Sequence, residues 1–478
     1  MLGNSPTKQH TEREEGLYDI WPVPLAKETE RKRTISESKR EEKSKDRSSK
    51  RKKTKHSKSI QHESGQRNKT QSLQSPSHEN QSSLDIEVSI IIPSSNKYPL
   101  NLLSLFSLEN QTFNQAKMEV IFIDDASTDQ TAEKLNSYSP PYQFIYIRSK
   151  EKLGRAKSRN LGIRLARGSI LIFLDAEMIT EANFVENHYK SHQSKENMIL
   201  SGAIHSKALY SCIFPEFSEK QINKIGALTK NNKEINKRFQ VFNYPGEELF
   251  PLVEKSDITS GSFRGMAFKA YPWFKEITKN FDDDLQGFAF PWMAFLTGNV
   301  SIRKAFIVQA GGFDEDFFHY GYEDWELGYR LYQMGADYHV SRAVLTYHQE
   351  HPVGESKWQE AVGNFGLFTL KHHDVDVLIL GLELSRLTDL LTMNKILIEY
   401  KLLVQSNLEQ IPQFQEKFLY ILETITLMLV VDIRHINILG AAGYGSDDRK
   451  ALQEDINQIK NLNKYKHLTN FLEKVIIS

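Results

Sequence analysis

An α/β fold built on a mostly parallel sheet is predicted by three short apolar runs and by the helical spacing of the segments between them. Val88–Ile92 stops at Pro93, Val120–Ile123 at Asp124, and Ile170–Leu174 at Asp175. Near-continuous β-branched runs of this length fit strands covered on both faces, as in parallel sheets with helices packed on each side. Ligands bind beyond the carboxyl ends of such strands. The polar residues that terminate the three runs are therefore expected on one edge, and they are the first candidates for a binding site.

The elements follow in order. Leu102, Leu103 and Phe106 keep helical spacing after the first strand, and Ser127 with Gln130 matches a capping box that opens the next helix. A third helix is predicted from about Arg155 to Arg167, with Gly168 as the left-handed residue that ends it. Gly321-Tyr-Glu-Asp-Trp325 stands directly before a helix in which Leu327, Leu331 and Met334 share a face, and Gly335 supplies the stop. Tyr338–Leu345 reads as a strand leading to Tyr347-His348-Gln-Glu-His351, and Pro352–Trp358 reads as a lid over a reactive site. From residue 353 onward Leu378, Leu382, Leu390, Leu391, Ile396 and Leu402 recur at helix periods, so residues 353–478 are expected to be a helical C-terminal region. That region caps the catalytic part, mediates self-association or recognises a protein substrate. Gly440-Ala-Ala-Gly443 has no strand before it and no Gly-Lys-Ser/Thr after it, so it is a helix break and not a phosphate loop.

Composition bounds the rest. The 478 residues carry 61 basic and 61 acidic side chains, a formal net charge of zero, but the charges are unevenly spread. Residues 1–85 are expected to form a disordered basic and polar tail, because most of that stretch is too poor in aliphatics to offset the entropy of ordering. Within it Lys50-Arg-Lys-Lys53, Lys55 and Lys58 read as a solvated charge run or as a contact for an anionic polymer or membrane surface. A nucleic-acid role is not expected, since it would rest on residues 50–58 alone. Leu17–Leu25 is an isolated apolar patch on the same tail, read as a docking peptide or as an accident of sequence. No secretory signal and no transmembrane segment are expected: Phe418–Ile433 contains Glu423 and Asp432 and falls short of the ~20 residues a span needs. It reads as a buried helix. The single cysteine, Cys212, allows no intrachain disulfide and fits a reducing compartment. The expected location is cytoplasmic, with a peripheral place at a membrane or spore surface as the alternative.

Asp175-Ala-Glu177 at a strand end puts two carboxylates within reach of one locus, and Mg²⁺ or Mn²⁺ prefers such oxygen ligands. Taken alone an Asp-x-Glu is a solvated turn as often as a metal site. It stands, however, in an ordered set with Asp124-Asp-Ala-Ser-Thr-Asp129, Gly154-Arg-Ala-Lys-Ser-Arg-Asn160, Gly311-Gly-Phe-Asp-Glu315 and Gly321-Tyr-Glu-Asp-Trp325. With these motifs, residues 86–352 resemble a family 2 glycosyltransferase of the GT-A nucleotide-diphospho-sugar transferase fold, Asp175-Ala-Glu177 standing in the place of that family's Asp-x-Asp. The departure is Glu177 for the usual second Asp, one methylene longer with the same oxygen chemistry.

The resemblance implies a metal-dependent, inverting transfer of a sugar from a nucleotide-diphosphate donor, with UDP as the expected nucleotide, to a saccharide, polymer or protein hydroxyl, as in cell-surface or spore-coat glycan assembly. Carried over position by position, Pro93 and Ser94 would lie near the base, and Asp124 or Asp125 would take the base or ribose. Arg155 or Arg159 would approach the nucleotide. Asp175 would contact ribose and metal, Glu177 would be the direct metal ligand, and His348 is the preferred late histidine ligand. An acceptor hydroxyl is a poor nucleophile and needs a positioned base; Asp324 is expected to be that base and Glu323 its hydrogen-bonding neighbour. The structural alternative for this pair is that the acids only favour the helix N-terminus.

Residues 203–297 are expected to be an insertion that shapes the acceptor site. They include the aromatics Phe263, Phe268, Tyr271, Trp273, Phe274, Phe281, Phe288, Phe290 and Trp292 and the acidic run Asp282-Asp-Asp284. Such aromatics are core or sugar-stacking faces. Trp292, with Trp325 and Asn299, is the candidate acceptor contact. The Gly-Tyr-Glu-Asp-Trp region also resembles that of polypeptide N-acetylgalactosaminyltransferases, which retain anomeric configuration, so a retaining polypeptide glycosyltransferase is an alternative. A catalytically degenerate GT-A protein with a binding or structural role is another.

Overall fold

The computed structural model describes residues 18–21, 85–243, 246–269, 275–407, 411 and 413–477, which belong to one compact unit. The basic cluster at 50–58, most of the 1–85 tail, the Leu17–Leu25 patch apart from residues 18–21, and Tyr271, Trp273 and Phe274 lie outside the described residues.

The main sheet is built in chain order from β1 (Tyr18–Trp21), β2 (Val88–Ser94), helix α1 (Leu100–Leu108), β3 (Met118–Asp124), helix α2 (Thr131–Leu135), β4 (Gln143–Ser149), helix α3 (Arg155–Leu165) and β5 (Ile170–Leu174). There follow β6 (Met178–Thr180), helix α4 (Phe184–Ser191), β7 (Met198–Ser201), β8 (Lys207–Leu209), the short antiparallel pair β9 (Cys212–Ile213) and β10 (Phe250–Pro251), β11 (Ala267–Lys269), and β12 (Asn299–Arg303). Helix α5 (Glu323–Gln333), β13 (Asp337–Val340), β14 (Thr346–Gln349) and helix α6 (Lys357–Lys371) complete the part that carries the site. Eight strands run in the order β1-β4-β3-β2-β5-β12-β7-β13, and a four-stranded sheet runs β11-β8-β14-β6.

In the eight-stranded sheet the parallel pairs are β2 with β3, β2 with β5, β3 with β4 and β7 with β13, and the first three account for the near-continuous apolar runs. Ile90 and Ile92 pack on one face of the sheet and Ile91 on the other, all fully buried. Strand β12 departs from the pattern, because it is antiparallel to both β5 and β7. Its first residue, Asn299, therefore lies beside Leu174, the last of β5. Thr297 and Gly298 are thereby delivered to the same edge as Asp175.

Two helix termini differ from the sequence expectation. The Ser127 hydroxyl accepts from the Asn96 amide at 2.9 Å, tying two loops together, while the first amide of α2, that of Thr131, is capped by Asp129 Oδ1 at 2.9 Å. Helix α3 ends at Leu165 with Ala166 in an extended conformation, and Gly168 is not left-handed. Glycine is needed there for space: a Cβ would lie 2.6 Å from the Ser89 amide nitrogen. The turn is held instead by Glu119, fully buried, which accepts from Ser89 Oγ at 2.6 Å and from the Arg167 amide at 2.7 Å.

Among the described residues beyond 353 there are helices and no strands. The core on the Ile91 face continues directly into them through Phe365, Phe368, Ile396, Phe418 and Leu422. The apolar stretch Phe418–Ile433 falls in a helix, Phe414–Val430, and beyond its end. Phe418, Ile421, Leu422 and Ile425 are buried as expected, whereas Leu427 and Ile433 are more than half exposed. No helix among the described residues is long and apolar enough to cross a membrane.

A buried histidine pair fastens α4 to β12. The Ser301 hydroxyl lies 2.7 Å from both His188 Nδ1 and His192 Nε2, and His188 Nε2 lies 3.1 Å from Asn299 Oδ1. Asn299 Oδ1 can only accept, so His188 carries its proton on Nε2, Ser301 donates to His188 Nδ1, and His192 donates to Ser301. The bond from Ser301 to His188 Nδ1 requires His188 to be neutral. Burial lowers His188 to about 3 and His192 to about 4. With the folded values depressed, the stability these groups contribute is complete above the unfolded value near 6.5 and is lost as pH falls below it. We expect stability to drop on the order of 2 kcal/mol per histidine between pH 7 and pH 5. Urea unfolding of the His188→Gln/His192→Gln double variant should show a flatter pH dependence than the parent over that interval; an equal slope would exclude this origin.

Candidate functional site

Strand register brings the strand-end acids together. Ser94 pairs with Asp124 across β2 and β3, and Ile91 with Phe173 across β2 and β5, so the three parallel strands end side by side. Antiparallel pairing of β14 with β6 sets His348 opposite Met178, next to Glu177. Gln349 secures that junction, its backbone and side-chain amides both donating to the Glu177 carbonyl at 3.1 Å. The result is a groove with two adjoining cavities. The smaller, about 80 Å³, is walled by Pro93, Ser94, Lys97, Asp125 and Glu177. The larger, about 450 Å³, is walled by Thr297, Tyr320, Glu323, Asp324 and Trp325. Arg155 and Asp175 belong to both.

Of the two neighbouring acids at the end of β3, only one faces the groove. Asp124 is fully buried, accepting from the Ser127 amide and from the Tyr146 hydroxyl, each at 2.9 Å. It shapes the loop and is not available to a ligand, a correction to its candidacy for the donor. Asp125 points the other way, as successive residues of an extended chain do. Its carboxylate accepts from the amides of Leu153 at 2.6 Å and Gly154 at 3.3 Å and lines the smaller cavity.

The two arginines of α3 also separate. Arg155, at the first turn, faces both cavities and lies 5.0 Å from the centre of the Tyr320 ring. Arg159, one turn on, is 1% exposed. Its Nη1 donates to Glu323 Oε1 at 2.9 Å and its Nη2 approaches Asp175 Oδ1 at 3.4 Å. The expected nucleotide contact therefore falls away for Arg159, which lies behind the cavity wall and holds two of the wall's acids.

Glu323 and Asp324 open α5. Tyr322, just before them, has φ of +68°, a left-handed conformation that costs a bulky side chain on the order of 1–3 kcal/mol. It is held by ring contacts with Trp325, Phe365 and Phe368. Helix α6 fixes the preceding loop further: Asn364 Nδ2 donates to the carbonyls of His319 at 3.0 Å and Gly321 at 2.8 Å, and Glu360 accepts from the Tyr320 amide at 3.1 Å. Burial raises the Asp324 carboxyl to about 7, and the adjacent Glu323 carboxylate pushes in the same direction. The Thr297 amide and hydroxyl lie 3.4 and 3.5 Å from Asp324 Oδ2. A carboxyl in this state can exchange a proton near neutrality.

At the other end of the groove, Glu177, His348 and His351 each offer one atom within 4.8 Å of the others. Burial alone would raise the Glu177 carboxyl, but its surroundings, with the Lys97 ammonium at 2.9 Å, outweigh it and hold it well below the ordinary carboxylate range. His348 Nδ1 is 3.0 Å from Glu350 Oε1, and His351 Nδ1 is 2.7 Å from the Pro352 carbonyl. Outer hydrogen bonds of this kind orient imidazoles for a metal. A carboxylate with two imidazoles fits a first-row divalent cation such as Mn²⁺. Asp175, turned towards Arg159, is not part of this three-residue group.

Two of the acceptor candidates are elsewhere. Trp292 is fully buried, ringed by Phe290, Trp325, Tyr329 and Phe368, and Asn299 is fully buried with its amide donating to the Val344 carbonyl at 2.7 Å. Both are corrected to core positions; Trp325 does line the larger cavity. Phe263, Phe288 and Phe290 are likewise core. Sequence reasoning missed Lys97, which has no local pattern to mark it, and preferred His348 over His351, although both stand in the same short motif. It also missed that α6 reaches the cavity, through Ala361.

The model of glycosyl transferase family 2 matches residues 89–239, and that of the N-terminal domain of galactosyltransferase matches residues 283–351. The chain is 33% identical over 294 residues to the uncharacterized glycosyltransferase YfnE of Bacillus subtilis, covering 61% of this chain and 71% of that protein. It is 32% identical over 262 residues to validoxylamine A glucosyltransferase of Streptomyces hygroscopicus, covering 53% of each. A solved structure, Staphylococcus aureus TarS 1–349 in complex with UDP, aligns at a TM-score of 0.41 and 13% identity over 81% of this chain and 90% of that one. The family match spans β2 to β5 and the strand-end acids that bound the groove, and with the 33% identity to YfnE it makes this chain a member of glycosyl transferase family 2, a glycosyltransferase of the GT-A fold.

Proposed function

We propose that the chain transfers a sugar from a nucleotide-diphosphate donor, a UDP-sugar in the first instance, to an acceptor hydroxyl with inversion at the anomeric carbon, and that a divalent cation assists. The observation that carries this reading is a single groove with Asp125 and Glu177 at one end and a carboxyl raised to about 7, Asp324, at the other. Pro93, Ser94 and Asp125 receive the base and ribose, and Arg155 faces the diphosphate. Glu177, His348 and His351 hold the cation, Mn²⁺ or Mg²⁺, which when bound neutralises charge on the departing diphosphate. Asp175 lies between the two ends, within reach of the ribose and of the sugar.

In the transfer, Asp324 takes the proton from the acceptor hydroxyl as its oxygen bonds to the anomeric carbon. The bond from that carbon to the β-phosphate oxygen breaks on the opposite side, and the nucleoside diphosphate leaves with the electron pair. Glu323, held by Arg159, is a positioning residue that keeps a negative charge beside Asp324 and so keeps the base weakly acidic. Trp325 offers the acceptor an aromatic face. Residues 86–352 would form the transferase, and the helices after 353 would complete its acceptor side through α6. A glycan is the preferred acceptor, with a protein hydroxyl as the alternative outcome of an acceptor screen.

The first test is the product's configuration: inversion is expected, and a retained anomer would overturn the role of Asp324. With a positioned base worth about 10²–10⁴-fold, Asp324→Asn should lose that much kcat while remaining folded. The parent kcat/KM should rise with pH and be half-maximal near pH 7, because the base works only when ionised. A profile flat from pH 5.5 to 8 would count against it. For Arg159, replacing the guanidinium with an uncharged side chain leaves buried acids unpaired; Arg159→Met should cost about 3–5 kcal/mol in urea unfolding, and unchanged stability would remove it from this role.

A further inference from the structure

The place between Glu177 and His351 is already spanned by a cation of the chain itself. Lys97 Nζ donates to Glu177 Oε1 at 2.9 Å and to His351 Nε2 at 2.8 Å, while those two atoms are 3.3 Å apart. An ammonium can only donate, so His351 Nε2 presents its lone pair to Lys97, and its proton is on Nδ1, directed at the Pro352 carbonyl. This is the tautomer a metal-ligating imidazole needs. His351 Nε2 has one lone pair, and a divalent ion cannot share it with the ammonium. The backbone around Lys97 is anchored, with the Asn96 amide on Ser127 Oγ at 2.9 Å and the Tyr98 amide on Asp129 Oδ2 at 2.8 Å. The four-carbon side chain extends beyond these anchors, from a wall of the same cavity that Asp125 and Arg155 line.

Building on the metal-dependent reading above, we propose that Lys97 is a tethered cation that occupies the metal locus in the donor-free protein, so that a divalent ion and a nucleoside diphosphate bind cooperatively. The ion displaces the ammonium, and the diphosphate, carrying negative charge into the cavity, accepts it. Without a diphosphate the displaced Lys97 and the divalent ion would face each other across a few ångströms with one carboxylate between them, a repulsion that weakens binding of the ion alone.

The test is Mn²⁺ binding to the full chain, followed by the electron paramagnetic resonance signal of free Mn²⁺, with and without UDP, for the parent, Lys97→Met and Glu177→Ala. In the parent, UDP should tighten Mn²⁺ binding about tenfold or more, a coupling of ordinary size. Lys97→Met should bind Mn²⁺ alone about tenfold more tightly than the parent and gain correspondingly less from UDP. Equal or weaker binding by Lys97→Met at an unchanged melting temperature would overturn the proposal. So would a parent in which UDP leaves Mn²⁺ affinity unchanged, a result that does not depend on how the variant folds. If the parent with UDP binds no Mn²⁺, or if Glu177→Ala binds it as the parent does, the metal-dependent reading of the site falls, and the role of Lys97 falls with it.

Discussion

Low-exposure carboxylates can be gathered in one groove only if cations are interleaved among them, and this constraint organises the whole site. Arg159 is the innermost of these cations, reaching Glu323 with one nitrogen and Asp175 with the other. It links the end of β5 to the start of α5, two places far apart in the chain, through a helix that belongs to neither. Nearer the opening Lys97 bonds Glu177, and Arg155 stands in the wall of both cavities. An isolated buried charge is costly, and a paired one is tolerated only where hydrogen bonds satisfy it. In this groove Asp175, Glu177 and Glu323 each have such a cation against them.

The same logic explains why the acids differ from one another. Among the described residues no cation is bonded to Asp324; burial and the Glu323 carboxylate raise it. Glu177 is partly buried too, but the Lys97 ammonium beside it helps to hold it low. Two carboxyls in one groove are driven apart in proton affinity by their neighbours, and that separation is what the proposed roles of base and cation ligand require. Fold alone would not distinguish them.

Helix α6 gives the C-terminal region a stake in this chemistry. Its Asn364 and Glu360 hold the loop that precedes α5, and Phe365 and Phe368 hold Tyr322 in a conformation that its side chain would otherwise avoid. The helices after residue 353 share a core with one face of the sheet. Loosening that core would be felt at Glu323 and Asp324, because their orientation rests on the residue just before them.

Much of this could be read along the chain, because it depends on short-range pattern. The parallel strands follow from runs of buried β-branched residues, the common edge from where those runs stop, and the end of α5 from Gly335, whose φ is +84°. What could not be read is orientation and partnership. Asp124 and Asp125 are chemically identical neighbours, and only the turn after β3 sends one inward to Tyr146 and the other to the groove. Trp292 and Trp325 are both candidate acceptor contacts by residue type, yet one is enclosed by four rings and the other reaches a cavity. Lys97 meets Glu177 and His351 only because β6 and β14 pair in one register beside the loop that follows β2. Periodicity reports which face a residue takes within its own element; which distant charge it meets is set by how the elements pack.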